Sequence, residues 1–115
     1  MYIFCDGPKK NATKEEIDNI NKVKKIVSTQ HWCSQLTLHF ENENKGLSYS
    51  IINGVTDLLM HHKCLIILED DILTGKGFLN YMNTALQLYE NEKDVISIHA
   101  RNYSINHSVN DSTFF

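Results

Sequence analysis

Cys64-Leu65-Ile66-Ile67-Leu68-Glu69-Asp70-Asp71 joins a continuous apolar run, two of its residues β-branched, to three consecutive carboxylates. A short run of this kind suits a strand buried on both faces, as in a parallel sheet. The acids then stand at its C-terminal end, where open α/β sheets place their ligands. Three carboxylates there repel one another unless a cation joins them. A hard divalent metal that keeps waters and holds phosphate oxygens is the natural guest. The plain alternative is that the acids solvate a strand end or cap the next helix.

Upstream, Tyr2–Cys5 is a short apolar run closed by the turn signal Asp6-Gly7-Pro8, and is expected to be a strand. Thr13-Lys14-Glu15-Glu16 is a capping box. It opens a helix with apolar positions Ile17, Ile20, Val23, Ile26 and Val27 that fades near Thr29. His31-Trp32-Cys33 reads as a connector whose indole packs on the core. Leu36–Phe40 alternates apolar and polar and reads as a second strand. After the polar loop from Glu41 to Gly46 comes a second helix, with Leu47, Ile51, Ile52, Val55, Leu58 and Leu59 on one face. Gly54 inside it costs about 1 kcal/mol against alanine, for which close packing on the sheet is the expected reason.

Downstream, Thr74 is placed to cap a third helix, with Phe78, Leu79, Met82, Ala85, Leu86 and Tyr89 on its buried face. Val95–Ile98 reads as a fourth strand, and the chain beyond His99 turns polar, so residues 101–115 read as an irregular tail. The order is β-α-β-α-β-α-β. It predicts an α/β fold, a mostly parallel sheet with flanking helices and right-handed crossovers, in a single partial domain over 1–115. Such a sheet would gather Asp6, the Asn44–Gly46 loop, Glu69-Asp70-Asp71 and His99 at one edge.

With 115 residues the chain is at most one domain, and 42% hydrophobic content suits a globular core. A formal net charge of −3 gives no footprint for nucleic acid. Lys9, Lys10, Lys14, Lys22, Lys24 and Lys25 are interleaved with acids and read as a solvated helix face; an anionic membrane surface is the minority reading. Cys5, Cys33 and Cys64 lack CxxC spacing, and Cys5 and Cys64 lie in apolar runs, which suggests buried thiols in a reducing compartment. No stretch spans a bilayer and Met1 leads straight into a strand-like run, so no signal peptide is expected. The Asn11-Ala12-Thr13 sequon is then a chance match.

Asp6 is placed to accept hydrogen bonds from a nucleoside base or ribose, or simply to form a turn before Gly7-Pro8. Lys45-Gly46 precedes a helix N-terminus, where free N–H groups favour phosphate; an ordinary glycine loop is the plainer reading. Glu69, Asp70 and Asp71 suit a divalent cation bridging two phosphates. Together these features point to a nucleoside diphosphate carrying a leaving group. His99 suits a structural strand end, and the adjacent His61-His62 suits a solvated loop. A receiver-like domain also uses strand-end carboxylates with Mg²⁺, but would want an acidic pair after its first strand, where only Asp6 stands.

Four stretches in order carry a more specific likeness: Tyr2-Ile3-Phe4-Cys5-Asp6-Gly7-Pro8, Asn44-Lys45-Gly46-Leu47-Ser48-Tyr49-Ser50-Ile51-Ile52-Asn53-Gly54-Val55, Ile66-Ile67-Leu68-Glu69-Asp70-Asp71-Ile72 and Phe78-Leu79-Asn80-Tyr81-Met82-Asn83-Thr84-Ala85-Leu86. They resemble bacterial glycosyltransferases of the GT-A fold, family-2-like nucleotide-sugar transferases, with the acid triplet also seen in the N-acetylglucosaminyltransferase I type. The resemblance implies a nucleotide-diphospho-sugar donor and a Mn²⁺ or Mg²⁺ ion. The triplet corresponds to that family's DXD-type motif: Asp71 would ligate the metal, while Glu69 and Asp70 would hold the ribose and sugar side or the metal's waters. Asp6 matches its base- or ribose-binding aspartate.

In that family a further strand precedes the one matched by Tyr2–Cys5 and lies in mid-sheet between it and the match to Cys64–Leu68. A Trp-rich segment follows the match to Thr113-Phe114-Phe115 and brings the acceptor side and the presumed base. Neither is present here, so no catalytic residue is assigned. The expectation is a donor-binding portion, inactive alone, of a cytoplasmic enzyme that acts on a carbohydrate or glycolipid acceptor, with peripheral membrane association as an option. The alternatives are a non-catalytic nucleotide- or metal-binding remnant and, less favoured, a receiver-like domain.

Overall fold

In a computed structural model the chain is described from Met1 to Ala100, and it divides into two compact units, Met1–Leu65 and one that begins at Ile66. The first unit is a β-α-β-α sequence: β1 (Tyr2–Cys5), α1 (Lys14–Thr29), β2 (Thr37–Phe40) and α2 (Leu47–Leu59). Within the second the described helix is α3 (Phe78–Leu88).

The expected capping box forms. Glu16 N–H donates to Thr13 Oγ1 at 3.2 Å and Thr13 N–H donates to the Glu16 carboxylate at 2.7 Å. The helix is thereby fixed at its first turn, which also carries Glu15 and Glu16 against the positive end of its dipole. It carries the chain back so that β1 and β2 run parallel, with Tyr2 opposite Thr37, Ile3 opposite Leu38, Phe4 opposite His39 and Cys5 opposite Phe40.

Paired residues in this register share a face. Ile3, Cys5, Leu38 and Phe40 point one way, where Lys24 of α1 lies 5.4 Å over the Phe40 ring and its ammonium donates to the Glu41 carbonyl at 2.9 Å. Tyr2, Phe4, Thr37 and His39 point the other way. There Phe4 stacks on His39 with centroids 4.5 Å apart and meets Gly54 of α2. Lys24 of α1 and Gly54 of α2 therefore meet opposite faces of the strand pair, as in a parallel ladder flanked by helices.

The wider sheet does not form. Among the described residues it has two strands, β1 and β2, instead of the expected mostly parallel sheet in the order β-α-β-α-β-α-β. Cys64–Leu68 is not a strand, and neither is Val95–Ile98. An apolar run becomes a strand only where a neighbouring strand takes its N–H and C=O groups, and Cys64–Leu68 finds none among the described residues. Here Cys64 is exposed, and Ile67 and Leu68 are each about half exposed, at 54% and 49%.

Other boundaries and faces shift for local reasons. The third helix begins at Phe78, not after Thr74, because Gly75 and Gly77 disfavour helix. Its buried residues are Met82 and Ala85, while Leu79 is exposed. On α2 the half-buried stripe is Ile51, Val55 and Leu58, while Leu47, Ile52 and Leu59 are exposed. Trp32 does not enter a core: it is largely exposed, and its indole N–H donates to the Val27 carbonyl at 3.1 Å, closing the end of α1. Cys64, expected to be buried, is exposed. No helix among the described residues is long and apolar enough to cross a membrane.

Candidate functional site

Both strands of the first unit end at the same edge, since they run parallel. Asp6 follows β1, the loop Glu41–Gly46 follows β2, and the N-terminus of α2 follows that loop. The two segments are tied at three places. Gly7 lies so close that a Cβ on it would fall on the Glu43 nitrogen and within 2.6 Å of the Asn42 carbonyl carbon. Asn44 N–H donates to the Pro8 carbonyl at 3.0 Å. The Asp6 carboxylate takes the Lys45 N–H at 3.0 Å on Oδ1 and the Gly46 N–H at 3.3 Å on Oδ2, besides that of Gly7 at 2.9 Å.

Gly46 is the N-cap of α2, with φ of 84°, a conformation that favours glycine. It has no side chain to cap the helix, and the first turn of α2 holds no acidic residue. Asp6 supplies the missing negative charge from 40 positions away. The amides of Lys45 and Gly46, the two residues that the sequence places just before a phosphate-favouring helix start, are therefore already hydrogen-bonded to a carboxylate.

Beside this clasp lies a shallow depression of about 360 Å³ lined by Lys10, Glu43, Asn44, Lys45 and Tyr49. Lys45 pairs with Glu41 at 2.8 Å, which holds its ammonium above the usual lysine range, and lies 5.8 Å from the centre of the Tyr49 ring. Ser50, in the first turn of α2, has a buried hydroxyl with no partner among the described residues.

Of the residues singled out from sequence, Asp6, Lys45 and Gly46 come together. Glu69, Asp70 and Asp71 belong to the second unit, where all three are exposed and Asp70-Asp71 form a turn. Among the described residues no three histidine, cysteine or acidic side chains are grouped to hold a metal ion. His99 does not end a strand; its ring nitrogen lies 3.2 Å from Ser97 Oγ. His62 Nε2 lies 2.9 Å from the Tyr2 hydroxyl, so this histidine is tied to β1 instead of only solvated. Sequence reasoning missed Lys10, Glu43 and Tyr49. For Tyr49 a signal existed, since it stands four residues after Lys45 on a helix start. Lys10 had none, because the fold alone brings its turn to the loop. Compared with protein-family models, with curated proteins and with solved structures, the chain matches none.

Proposed function

We propose that the Met1–Leu65 unit binds the nucleoside diphosphate part of a nucleotide-sugar donor, and that the chain serves metal-dependent transfer of the sugar to a carbohydrate or glycolipid hydroxyl. The observation that carries the binding proposal is the depression itself: two lysines, one aromatic ring and two hydrogen-bonding side chains share one cavity. Lys10 and Lys45 offer positive charge to a diphosphate. The Tyr49 ring offers a face to a base, a contact typically worth about 1–3 kcal/mol. Glu43 and Asn44 offer acceptors and an amide donor to ribose hydroxyls.

The exposed acids of the second unit suit one mode of metal binding. They form no three-ligand cage, but Mg²⁺ is usually held by one or two carboxylates with waters and phosphate oxygens completing its shell. In this proposal Asp71 supplies that carboxylate to Mn²⁺ or Mg²⁺, and Glu69 and Asp70 hold the ion's waters. When bound, such an ion neutralises charge on a departing diphosphate. Three free thiols fit a reducing compartment, hence the cytoplasm or the inner face of its membrane.

The test is a titration of the full chain with UDP, GDP and ADP, with and without Mn²⁺, read by thermal melting. Saturable binding at a hundred times Kd raises stability by about 2.7 kcal/mol. Tyr49→Ala and Lys10→Ala should weaken it. Melting that stays unmoved by every nucleotide sinks the proposal. Mn²⁺ alone, followed by loss of its free-ion electron resonance signal, should bind the wild type more tightly than Asp71→Ala.

A further inference from the structure

The role that the sequence suggests for Asp6 and its observed geometry diverge. A carboxylate that reads a base or ribose must keep acceptor capacity turned to the ligand. Here backbone N–H groups fill three of the roughly four acceptor directions: Oδ1 takes those of Gly7 and Lys45, and Oδ2 takes that of Gly46. Among the described residues the Lys45 and Gly46 amides donate to no other acceptor, and Gly46 carries no side-chain cap. We infer that Asp6 is a positioning residue, an internal anion that pins the Glu41–Gly46 loop to the end of β1 and so sets where Lys45 and Tyr49 stand in the depression.

Three observations support this independently of any ligand. The Gly7 approach and the Asn44–Pro8 hydrogen bond fix the first half of the loop, so the second half needs one more tie to be held. Asp6 provides it at the residue before α2 begins. Lys45 then projects into the cavity, with its ammonium against Glu41 and near Tyr49 one turn further on. A freed loop would leave Lys45 and Tyr49 without a common frame. The clasp does not depend on the nucleotide proposal; its consequence for binding does.

Amide hydrogen exchange on the full chain tests the clasp. Lys45 and Gly46 amides should be protected in the wild type and exchange at least about tenfold faster in Asp6→Ala, with Ile20 and Val23 in α1 unchanged. Should Asp6→Ala lose α1 protection too, Asp6→Asn decides. It keeps the shape and one acceptor oxygen but turns the other into a donor, so at least one of the two amides loses its acceptor and should exchange faster while α1 stays protected. Unchanged exchange at both amides in a folded variant overturns the inference. On Asp6→Asn, affinities for UDP and for inorganic diphosphate should fall by the same factor. A loss confined to UDP would make Asp6 a direct base or ribose ligand and overturn it as well. If neither compound binds the wild type, the nucleotide proposal fails while the exchange result still stands.

Discussion

The Phe4 ring occupies the space into which a side chain on Gly54 would project: a Cβ there would lie 3.3 Å from both Cε1 and Cζ of the ring. Two effects oppose each other in Gly54→Ala. Alanine gains about 1 kcal/mol of helix propensity. Against it, the ring must move a few tenths of an ångström and disturb its stack on His39. Phe4 is 45% exposed, so it can yield. Gly54→Ala should therefore change stability by less than about 1 kcal/mol. Gly54→Val adds bulk that the ring cannot escape and should cost more than about 2 kcal/mol by overpacking. Urea melts of the two variants decide it. A valine variant as stable as the wild type would mean that α2 does not press on β1.

That contact was legible in the sequence, because a glycine inside an apolar helical stripe demands a close neighbour. So were the capping box at Thr13, the parallel alternation around α1, and the strand-end grouping of Asp6 with Lys45 and Gly46. Each rests on signals a few residues long or on one β-α-β crossover. Cys64–Leu68 failed for a different reason. Hydropathy states that a segment prefers burial, but a strand also needs a ladder partner, and no local pattern supplies one. Val95–Ile98 fails on the same ground. Lys10 entered the depression through a tertiary approach that periodicity does not encode.

Thr13→Ala should destabilise the first unit by about 1 kcal/mol, the usual loss for a threonine N-cap. The same cap gives a pH signature. Hydrogen bonds from the Thr13 backbone and side chain hold the Glu16 carboxyl below its ordinary range. The unfolded chain thus takes up that proton at higher pH than the folded chain does. The stabilisation is present above the unfolded-state value and is lost as pH falls through the lower folded-state value. Stability of the wild type should decline across that acid window, and Glu16→Gln should flatten the decline. Parallel acid limbs for the two proteins would show that the capping box does not persist in solution.

The three thiols should react in a set order. Burial pushes the Cys5 thiol up, with Lys24 only partly opposing it. Cys33 is half-buried, its thiol donating to the Gln35 carbonyl at 2.9 Å, and Cys64 is exposed. Since the thiolate is the nucleophile, iodoacetamide near neutral pH should label Cys64 first and Cys5 last. Peptide mapping at timed intervals reads the order. Early labelling of Cys5 would mean that α1 does not cover that face of the strands.

Ser50 offers a test in the opposite direction. Its hydroxyl is buried without a partner among the described residues, a state that costs roughly 1–3 kcal/mol of desolvation. Ser50→Ala removes the hydroxyl and keeps a good helix former, so it should raise the melting temperature. A lower melting temperature would reveal a hydrogen bond at Ser50, to water or to the chain.

Glu41 and Lys45 form an exposed ion pair, and such pairs contribute little to stability because water and salt screen them. Glu41→Gln should leave the melting temperature where it is. Its effect belongs to the depression. Glu41 neutralises the ammonium that a diphosphate would use, so a bound polyanion must compete with it. Removing that charge should tighten nucleoside diphosphate binding several-fold at low ionic strength, and added salt should erase the gain. Lys45→Ala should weaken binding and leave nothing for Glu41→Gln to improve, so the double variant should bind like Lys45→Ala alone. Isothermal titration with UDP at two salt concentrations separates these outcomes. Weaker binding in Glu41→Gln would show that Glu41 positions Lys45 instead of competing for it.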